Sequence, residues 1–170
     1  AKIVSLPSID DLALGKLKIN EVNEIDINEL LGRVEVESNS DLLSKNIQNQ
    51  NILVSGAGGS IGRELCFQII KKNPLNLIIL DHNELSIFNI YNELEQIKVE
   101  KSLNVRIKPI LCSILDEKSL SEIFKNNTVH TVYHAAAYKH VDMVERNIIS
   151  GVKNNVFGTL NLCDLSEKYK

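Results

Sequence analysis

The chain has no tryptophan, one methionine and three prolines in 170 residues, and it has no excess of positive charge. Nineteen Lys and Arg residues against 22 Asp and Glu residues give a formal net charge of −3. Such a balance creates no broad positive field for a polyanion. No cluster of basic residues interleaved with aromatic residues is present either. The composition therefore predicts that nucleic acid is not a partner.

Long apolar runs and a leader peptide are also missing. No stretch approaches the roughly 20 apolar residues that cross a bilayer. The N-terminus lacks the basic and then apolar layout of a signal peptide. The chain begins with Ala1 and has Met143 as its single methionine. We therefore expect a soluble, cytoplasmic piece of a longer protein, not embedded in a membrane.

Cysteine is scarce: Cys66, Cys112 and Cys163 are far apart and odd in number. Each has apolar neighbours, which predicts three buried free thiols. The four histidines do not stand at zinc-ligand spacings with these cysteines, so we expect no metal site.

The chain divides at about residue 50. Residues 1–50 show no sustained period and are predicted to form a lead-in that packs on the main domain, with short helices at 26–32 and 41–48. In residues 51–170, short apolar runs alternate with helical periods, which is typical of βα units and a parallel sheet. The predicted strands cover 52–55, 77–81, 105–112 and 129–135.

Four such units predict an α/β fold. We expect the N-terminal half of a Rossmann-like doubly wound parallel sheet, with strand order 3-2-1-4 and helices on both faces, truncated before strand five. The apolar periods predict four helix faces. They consist of Ile61, Leu65 and Ile69; Leu85, Phe88, Tyr91, Asn92 and Leu94; Leu120, Ile123 and Phe124 after an Asp116 cap; and Val152, Val156, Leu160 and Cys163.

A glycine-rich loop lies between the first predicted strand and helix. Gly56 is suited to the tight turn, Gly59 to close approach of a pyrophosphate, and Gly62 to close packing of helix on strand. Unpaired N–H groups at the helix N-terminus would face the phosphates. A Walker-type loop is excluded because Arg63 and Glu64 follow Gly62. The predicted cofactor-binding residues of this segment are Gly56, Ala57, Gly59, Ser60, Ile61, Gly62 and Arg63.

An acidic residue follows at the distance that a dinucleotide site requires. Asp81 ends the second predicted strand, 19 positions after Gly62, where a carboxylate accepts the ribose hydroxyls of the adenosine half. This position favours NAD, because a carboxylate repels the 2′-phosphate of NADP. Arg63 and His82 offer compensating positive charge, so NADP stays open. The alternative is that Asp81 caps the following helix.

A later motif narrows the family. His134-Ala-Ala-Ala-Tyr-Lys-His-Val141, with Asn155-Val-Phe-Gly-Thr-Leu-Asn161, resembles the nucleotide-sugar 4,6-dehydratase/epimerase family of capsular polysaccharide biosynthesis. This family belongs to the extended short-chain dehydrogenase/reductases. The segment Leu30–Arg33 resembles the junction between the membrane-anchored and catalytic parts of long members. The resemblance implies that an upstream region anchors the full-length protein in the bacterial inner membrane.

The resemblance also implies an activity: NAD(P)-dependent conversion of a UDP-sugar, UDP-N-acetylglucosamine, to a 4-keto-6-deoxy product by a full-length homo-oligomer. Alternatives are a C4 epimerase or a 4-keto reductase on the same scaffold, or a non-catalytic nucleotide-binding or oligomerisation module. The catalytic Thr/Ser-Asp-Lys sequence of the family would fall after Lys170. No Tyr-x-x-x-Lys pair exists in this chain, so no catalytic residue is assigned.

Further site residues follow from the resemblance alone. The loop after the fourth strand would pass over the cofactor, so its side chains would have to be small. Lys139 and His140 would face the substrate. Asn155 would lie at the start of a helix beneath the cofactor, and a serine stands where relatives have an Asp at the adenine edge. The implied cofactor contacts are Ser113, Ile114, Ala135, Ala136, Ala137 and Asn155.

Overall fold

The computed structural model describes residues Val4–Ser5, Asn23–Glu24 and 39–169. The chain forms two compact units, Ala1–Asn39 and Ser40–Lys170. In the first unit, strand β1 (Val4–Ser5) pairs antiparallel with β2 (Asn23–Glu24). The helical turn predicted over 26–32 lies outside the described residues. No helix in the described part of the chain is both long and apolar enough to span a bilayer.

The second unit begins with helix α1 (Ser40–Ile47), which confirms the helix predicted over 41–48. Strands and helices then alternate. They are β3 (Asn51–Ser55), α2 (Ser60–Ile70), β4 (Asn76–Asp81), α3 (Glu84–Glu100), β5 (Arg106–Leu111), α4 (Glu117–Asn127) and β6 (Thr131–His134). The C-terminal part is helical throughout. It consists of α5 (Val141–Arg146), α6 (Ile148–Val152), a π-helical segment (Lys153–Gly158) and α7 (Thr159–Lys168).

Strands β3 to β6 form one parallel sheet in the order β5-β4-β3-β6. Counted from Asn51, this order is 3-2-1-4, so the predicted topology is confirmed. Ser55 pairs with Leu80 on one side and with His134 on the other. The carboxyl ends of β3, β4 and β6 therefore meet at one edge of the sheet, where doubly wound folds bind their ligands.

Both faces of the sheet are covered, so β3 and β4 are buried along their whole length. Side chains alternate between two cores. One core combines strand residues with α2 and α3: Ile52, Val54, Ile79, Cys66, Ile69, Ile70, Ile87, Ile90 and Leu94. The other combines them with α4 and α7: Leu53, Ile78, Leu80, Leu120, Ile123, Phe124, Leu162 and Leu165. Helices on both faces are thus confirmed.

The predicted buried face is correct for α4 and wrong in part for α2 and α3. Ile61 is 64% exposed, and Leu85 and Phe88 of α3 also face solvent. Asn83 caps α3 and so sets where its first turn begins. The stripe of Ile87, Ile90 and Leu94 meets the sheet instead. Helix α3 carries two apolar stripes, and packing on the sheet buries the second of them.

The stripe predicted on the C-terminal helix is also wrong. Val152, Val156 and Leu160 are exposed, as is Cys163, while Leu162 and Leu165 supply the core contacts. The π-helical segment has wider turns than an α-helix, which shifts the phase of the residues that follow it.

Two of the three thiols are buried as predicted. Burial raises the pKa of the Cys66 thiol to about 12, and it is also the main cause that raises the pKa of Cys112. Both thiols are therefore held in the unreactive protonated form. Cys163 is exposed, so the prediction of three buried thiols is wrong at this residue.

The two stripes of α3 can be told apart by truncation. Leu94 is fully buried and Leu85 is 67% exposed. We expect Leu94→Ala to lower the free energy of unfolding by about 2–5 kcal/mol, because it leaves a cavity in the core. Leu85→Ala should change it by less than about 0.5 kcal/mol. Urea unfolding of both variants checks this, and equal losses would contradict the assignment.

Candidate functional site

A cleft of about 240 Å³ lies at the carboxyl edge of the sheet. Four loops form its walls, one after each strand of the sheet. The lining residues are Gly56, Gly58, Gly59, Leu80, Asp81, His82, Asn83, Ser86, Cys112, Ser113, Ile114, Ala135, Ala136, Ala137, Tyr138 and Asn154. Nine of the residues predicted from the sequence are among them: Gly56, Gly59, Asp81, His82, Ser113, Ile114, Ala135, Ala136 and Ala137.

The glycine loop forms the first wall, and its three motif glycines differ in what they contact. Gly56 has φ +66°, and a Cβ there would lie 2.7 Å from the backbone of Ala135. A Cβ on Gly62 would lie 2.0 Å from the Gly56 carbonyl oxygen. A Cβ on Gly59 would meet only that oxygen, at 3.3 Å. The fold therefore requires Gly56 and Gly62, whereas Gly59 keeps open space in the cleft.

The N-terminus of α2 lies in the same wall of the cleft. Its N-cap residue is Gly59, which has no side chain to accept a hydrogen bond from the first turn. Helix N-termini carry unpaired N–H groups and a partial positive charge, which together bind anions. Ser60 begins the helix, and its Oγ lies 3.3 Å from Nζ of Lys139. The N-terminus of α2 and an ammonium group therefore lie side by side.

Asp81 forms the second wall and ties it to the first. Its side chain is only 9% exposed. Oδ2 accepts a hydrogen bond from the Gly58 N–H at 2.9 Å, and Oδ1 accepts one from the Asn83 N–H at 2.9 Å. The exposed imidazole of His82 has Nδ1 3.5 Å from Oδ1. The carboxylate thus holds the glycine loop against the end of β4.

The alternative interpretation of Asp81 as a helix cap is wrong. Helix α3 begins at Glu84, and its cap is Asn83, whose Oδ1 accepts from the Ser86 N–H at 2.9 Å. Ser86 also packs against the glycine loop, because a Cβ on Gly58 would lie 2.3 Å from the Ser86 Cβ. Sequence reasoning missed these cleft residues, although Asn-x-x-Ser after a strand-end Asp is a recognisable capping signal.

The third wall is the turn after β5. The Ser113 Oγ accepts from the Leu115 N–H at 3.2 Å. The Ile114 carbonyl oxygen accepts from the Asn161 side-chain amide at 3.0 Å. These two hydrogen bonds fix the turn that places Ser113 and Ile114 in the wall of the cleft.

The fourth wall is the loop after β6, and two consecutive asparagines hold it. Asn154 Nδ2 donates to the Ala136 carbonyl at 2.8 Å. Asn155 Oδ1 accepts from the Tyr138 N–H at 2.9 Å, and its Nδ2 donates to the Tyr138 carbonyl at 3.0 Å. Both asparagines lie within the π-helical segment. The expectation that Asn155 lies at the start of a helix is therefore wrong. Asn154, which sequence reasoning missed, lines the cleft itself.

The remaining predicted residues lie beside the cleft. Ala57 is buried under the loop, and its N–H donates to the Leu80 carbonyl. Ile61 points to solvent, and the guanidinium of Arg63 binds Glu93 at 2.7 Å. Ser60, Gly62 and Asn155 shape the walls without lining the cleft.

A second cavity, of about 460 Å³, adjoins the first. Lys139 and His140 line it, together with the more apolar Met143 and Val144. Ala137 and Tyr138 line both cavities and so separate them. The structure thus places Lys139 at a junction: it lines the second cavity, while its ammonium contacts the glycine-loop helix.

His134 links the central strand to the C-terminal helices. Its Nδ1 lies 2.7 Å from the Ser55 Oγ, and its Nε2 lies 3.0 Å from the Thr159 Oγ1. The Thr159 hydroxyl donates to the Asn155 carbonyl at 2.8 Å, so Thr159 accepts from Nε2–H and Ser55 donates to Nδ1. The neutral imidazole satisfies this chain of bonds. Desolvation lowers the pKa of His134 below its ordinary 6.5.

Residues 52–170 match the family described as polysaccharide biosynthesis protein. The chain belongs to this family. It is 36% identical over 169 residues to the capsular polysaccharide biosynthesis protein CapD of Staphylococcus aureus, covering 98% of this chain and 27% of that protein. It is 35% identical over 162 residues to the probable polysaccharide biosynthesis protein EpsC of Bacillus subtilis, covering 95% of the chain and 27% of that protein. The chain thus spans about a quarter of these relatives.

A solved structure has the same arrangement of strands and helices. The UDP-glucose 4-epimerase of Thermotoga maritima, determined with UDP-glucose, superimposes with a TM-score of 0.58 at 28% identity. The match covers 71% of this chain and 35% of the epimerase. The family expected from the His134–Val141 motif and the expected Rossmann-like fold are both confirmed.

The His134 network predicts a pH dependence of stability. The pKa of His134 is lower in the folded protein than in the unfolded chain, so on acidification the unfolded chain takes up the proton first. The contribution of His134 to the free energy of unfolding is fully present above pH 6.5. It is lost as the pH falls towards the pKa of His134 in the folded protein. We expect unfolding free energies measured between pH 7.5 and pH 5 to fall more steeply for the wild type than for His134→Gln. Identical slopes would contradict the assignment.

Proposed function

We propose that this protein is the cofactor-binding portion of an NAD-dependent nucleotide-sugar 4,6-dehydratase that acts on UDP-N-acetylglucosamine in polysaccharide precursor synthesis. One observation carries the cofactor part of the proposal. The open N-terminus of α2 at Gly59 faces the same cleft as Asp81, and Ala135 to Ala137 leave room beside them. The helix N-terminus suits a phosphate, the Asp81 carboxylate suits a ribose, and the space beside the alanines suits a flat ring.

The residues present fit the adenosine and pyrophosphate half of a dinucleotide. The pyrophosphate would bind at Gly59 and the first turn of α2, with the Lys139 ammonium balancing its charge. Asp81 would accept from the ribose hydroxyls of the adenosine half. Ser113 would donate to the adenine edge. When bound, the nicotinamide accepts and returns hydride, while the protein supplies position and electrostatics.

NAD fits the cleft better than NADP. The carboxylate of Asp81 would repel a 2′-phosphate added to the adenosine ribose. Arg63, one of the two residues considered as compensating charge, is paired with Glu93. His82 is the other, and its Nδ1 is oriented towards Asp81.

The second cavity suits a sugar nucleotide placed next to the cofactor. It shares Ala137 and Tyr138 with the first cavity, and the polar side chains of Lys139 and His140 are among its lining. The resemblance to the 4,6-dehydratases of capsular polysaccharide synthesis favours UDP-N-acetylglucosamine as the substrate. The resemblance places the proton-transferring residues after Lys170, so we expect residues 1–170 alone to bind NAD(H) weakly and to turn over nothing.

A C4 epimerase is the second candidate, because the superimposed Thermotoga structure carries that name. Product mass separates the two activities. A polypeptide extended to the length of the curated relatives should convert UDP-N-acetylglucosamine to a product lighter by one water in mass spectrometry. A product of unchanged mass would support the epimerase and contradict the dehydratase. A reductase would require a 4-keto sugar as its substrate.

Two glycine variants separate cofactor binding from folding. In Gly59→Ala the new methyl group meets only the Gly56 carbonyl oxygen, at 3.3 Å, so the fold should persist while the methyl occupies the phosphate approach. We expect NAD binding, measured by calorimetry, to weaken by at least about tenfold. Gly62→Ala would place its methyl 2.0 Å from the same oxygen, so it should lower the stability as well. Undiminished NAD binding by Gly59→Ala would contradict the proposal.

A further inference from the structure

Arg63 stands next to the glycine loop but its charged end is held elsewhere. It lies in the first turn of α2, where its N–H donates to the Gly59 carbonyl. Its guanidinium reaches α3 and donates twice to Glu93 Oε2, from Nη2 at 2.7 Å and from Nε at 2.9 Å. The guanidinium carbon also lies 4.7 Å above the ring centroid of Phe67. Three contacts therefore hold one rotamer of this arginine.

The position of Glu93 decides where that charge is held. Ser86, on the same helix, lines the cleft and packs against Gly58 beside Asp81. Glu93 is seven residues further along α3, which corresponds to about 10 Å along the helix axis. The arginine is thus directed along α3 and away from the end of the cleft where Asp81 lies.

We propose that Glu93 is a specificity-determining residue for the cofactor. By pairing with Arg63 it withholds a guanidinium from the ribose end of the cleft, so that a 2′-phosphate would meet the Asp81 carboxylate without arginine to balance it. This inference rests on the proposed function, namely dinucleotide binding in this cleft. It adds a second determinant of NAD preference to the direct repulsion by Asp81.

The chemistry supports a real but moderate effect. Guanidinium groups bind phosphate through paired N–H donors, so a released Arg63 would favour NADP. The Arg63 and Glu93 side chains are 49% and 38% exposed, respectively, and water and salt therefore weaken the pair. The ion pair can be broken without opening the core, which makes the proposal testable by substitution.

The test measures NAD and NADP affinities of the intact chain by calorimetry at low ionic strength. In Glu93→Gln we expect the affinity for NADP relative to NAD to rise by about threefold to tenfold. Adding Arg63→Gln to that variant should cancel the rise. The gain should shrink at high salt because the new contact is ionic.

Glu95→Gln is the matched control. Glu95 is also a carboxylate on α3 in an ion pair, with Lys98 at 3.1 Å, and its loss changes the net charge by the same amount. We expect this variant to keep the wild-type ratio of affinities. A thermal unfolding curve of each variant verifies that the fold is retained.

The outcomes separate this inference from the function on which it rests. If the wild type binds neither nucleotide, the proposed function fails and the inference fails with it. If the wild type binds NAD but Glu93→Gln has the same affinity ratio as Glu95→Gln, the inference alone is overturned. It is also overturned if Glu93→Gln weakens both nucleotides equally, since Glu93 would then act only on the structure.

Discussion

Backbone segments at the carboxyl edge of the sheet approach one another more closely than side chains allow. Gly62 packs on the Gly56 carbonyl, and Gly56 packs on the peptide of Ala135. These contacts bring β3, α2 and the loop after β6 together at one point. The cleft exists because this junction fixes the N-terminus of α2 opposite Asp81. A methyl group at either glycine would separate the walls of the site, whereas Gly59 leaves the space between them free.

Positive and negative groups lie at different places around this junction. The N-terminus of α2 and the Lys139 ammonium supply positive potential where a pyrophosphate would bind. The buried Asp81 supplies the negative group at the ribose end and also receives the loop N–H of Gly58. Arg63 would add positive charge at the ribose end, but its guanidinium is paired with Glu93 outside the cleft. One carboxylate therefore serves both the loop structure and the proposed ligand selection.

The C-terminal helices contribute to the site through an irregularity. The π-helical segment carries Asn154 and Asn155, and both side chains bind the loop after β6. They hold the backbone of Ala136 and Tyr138 and so separate the two cavities. The same segment shifts the helical phase of α7, in which Leu162 and Leu165 reach the core while Leu160 and Cys163 face solvent.

The sequence by itself determined the order of strands and helices, the parallel sheet and the position of the cleft. Period-two and period-3.6 patterns are local, and the spacing of Gly56, Gly62 and Asp81 is typical of a βαβ unit. Tertiary structure alone decided which stripe of α3 is buried and that Arg63 binds Glu93. It also decided that Asn154 reaches the cleft. Each of these depends on residues far apart in the chain, or on a change of helical phase, and local periodicity carries no information about either.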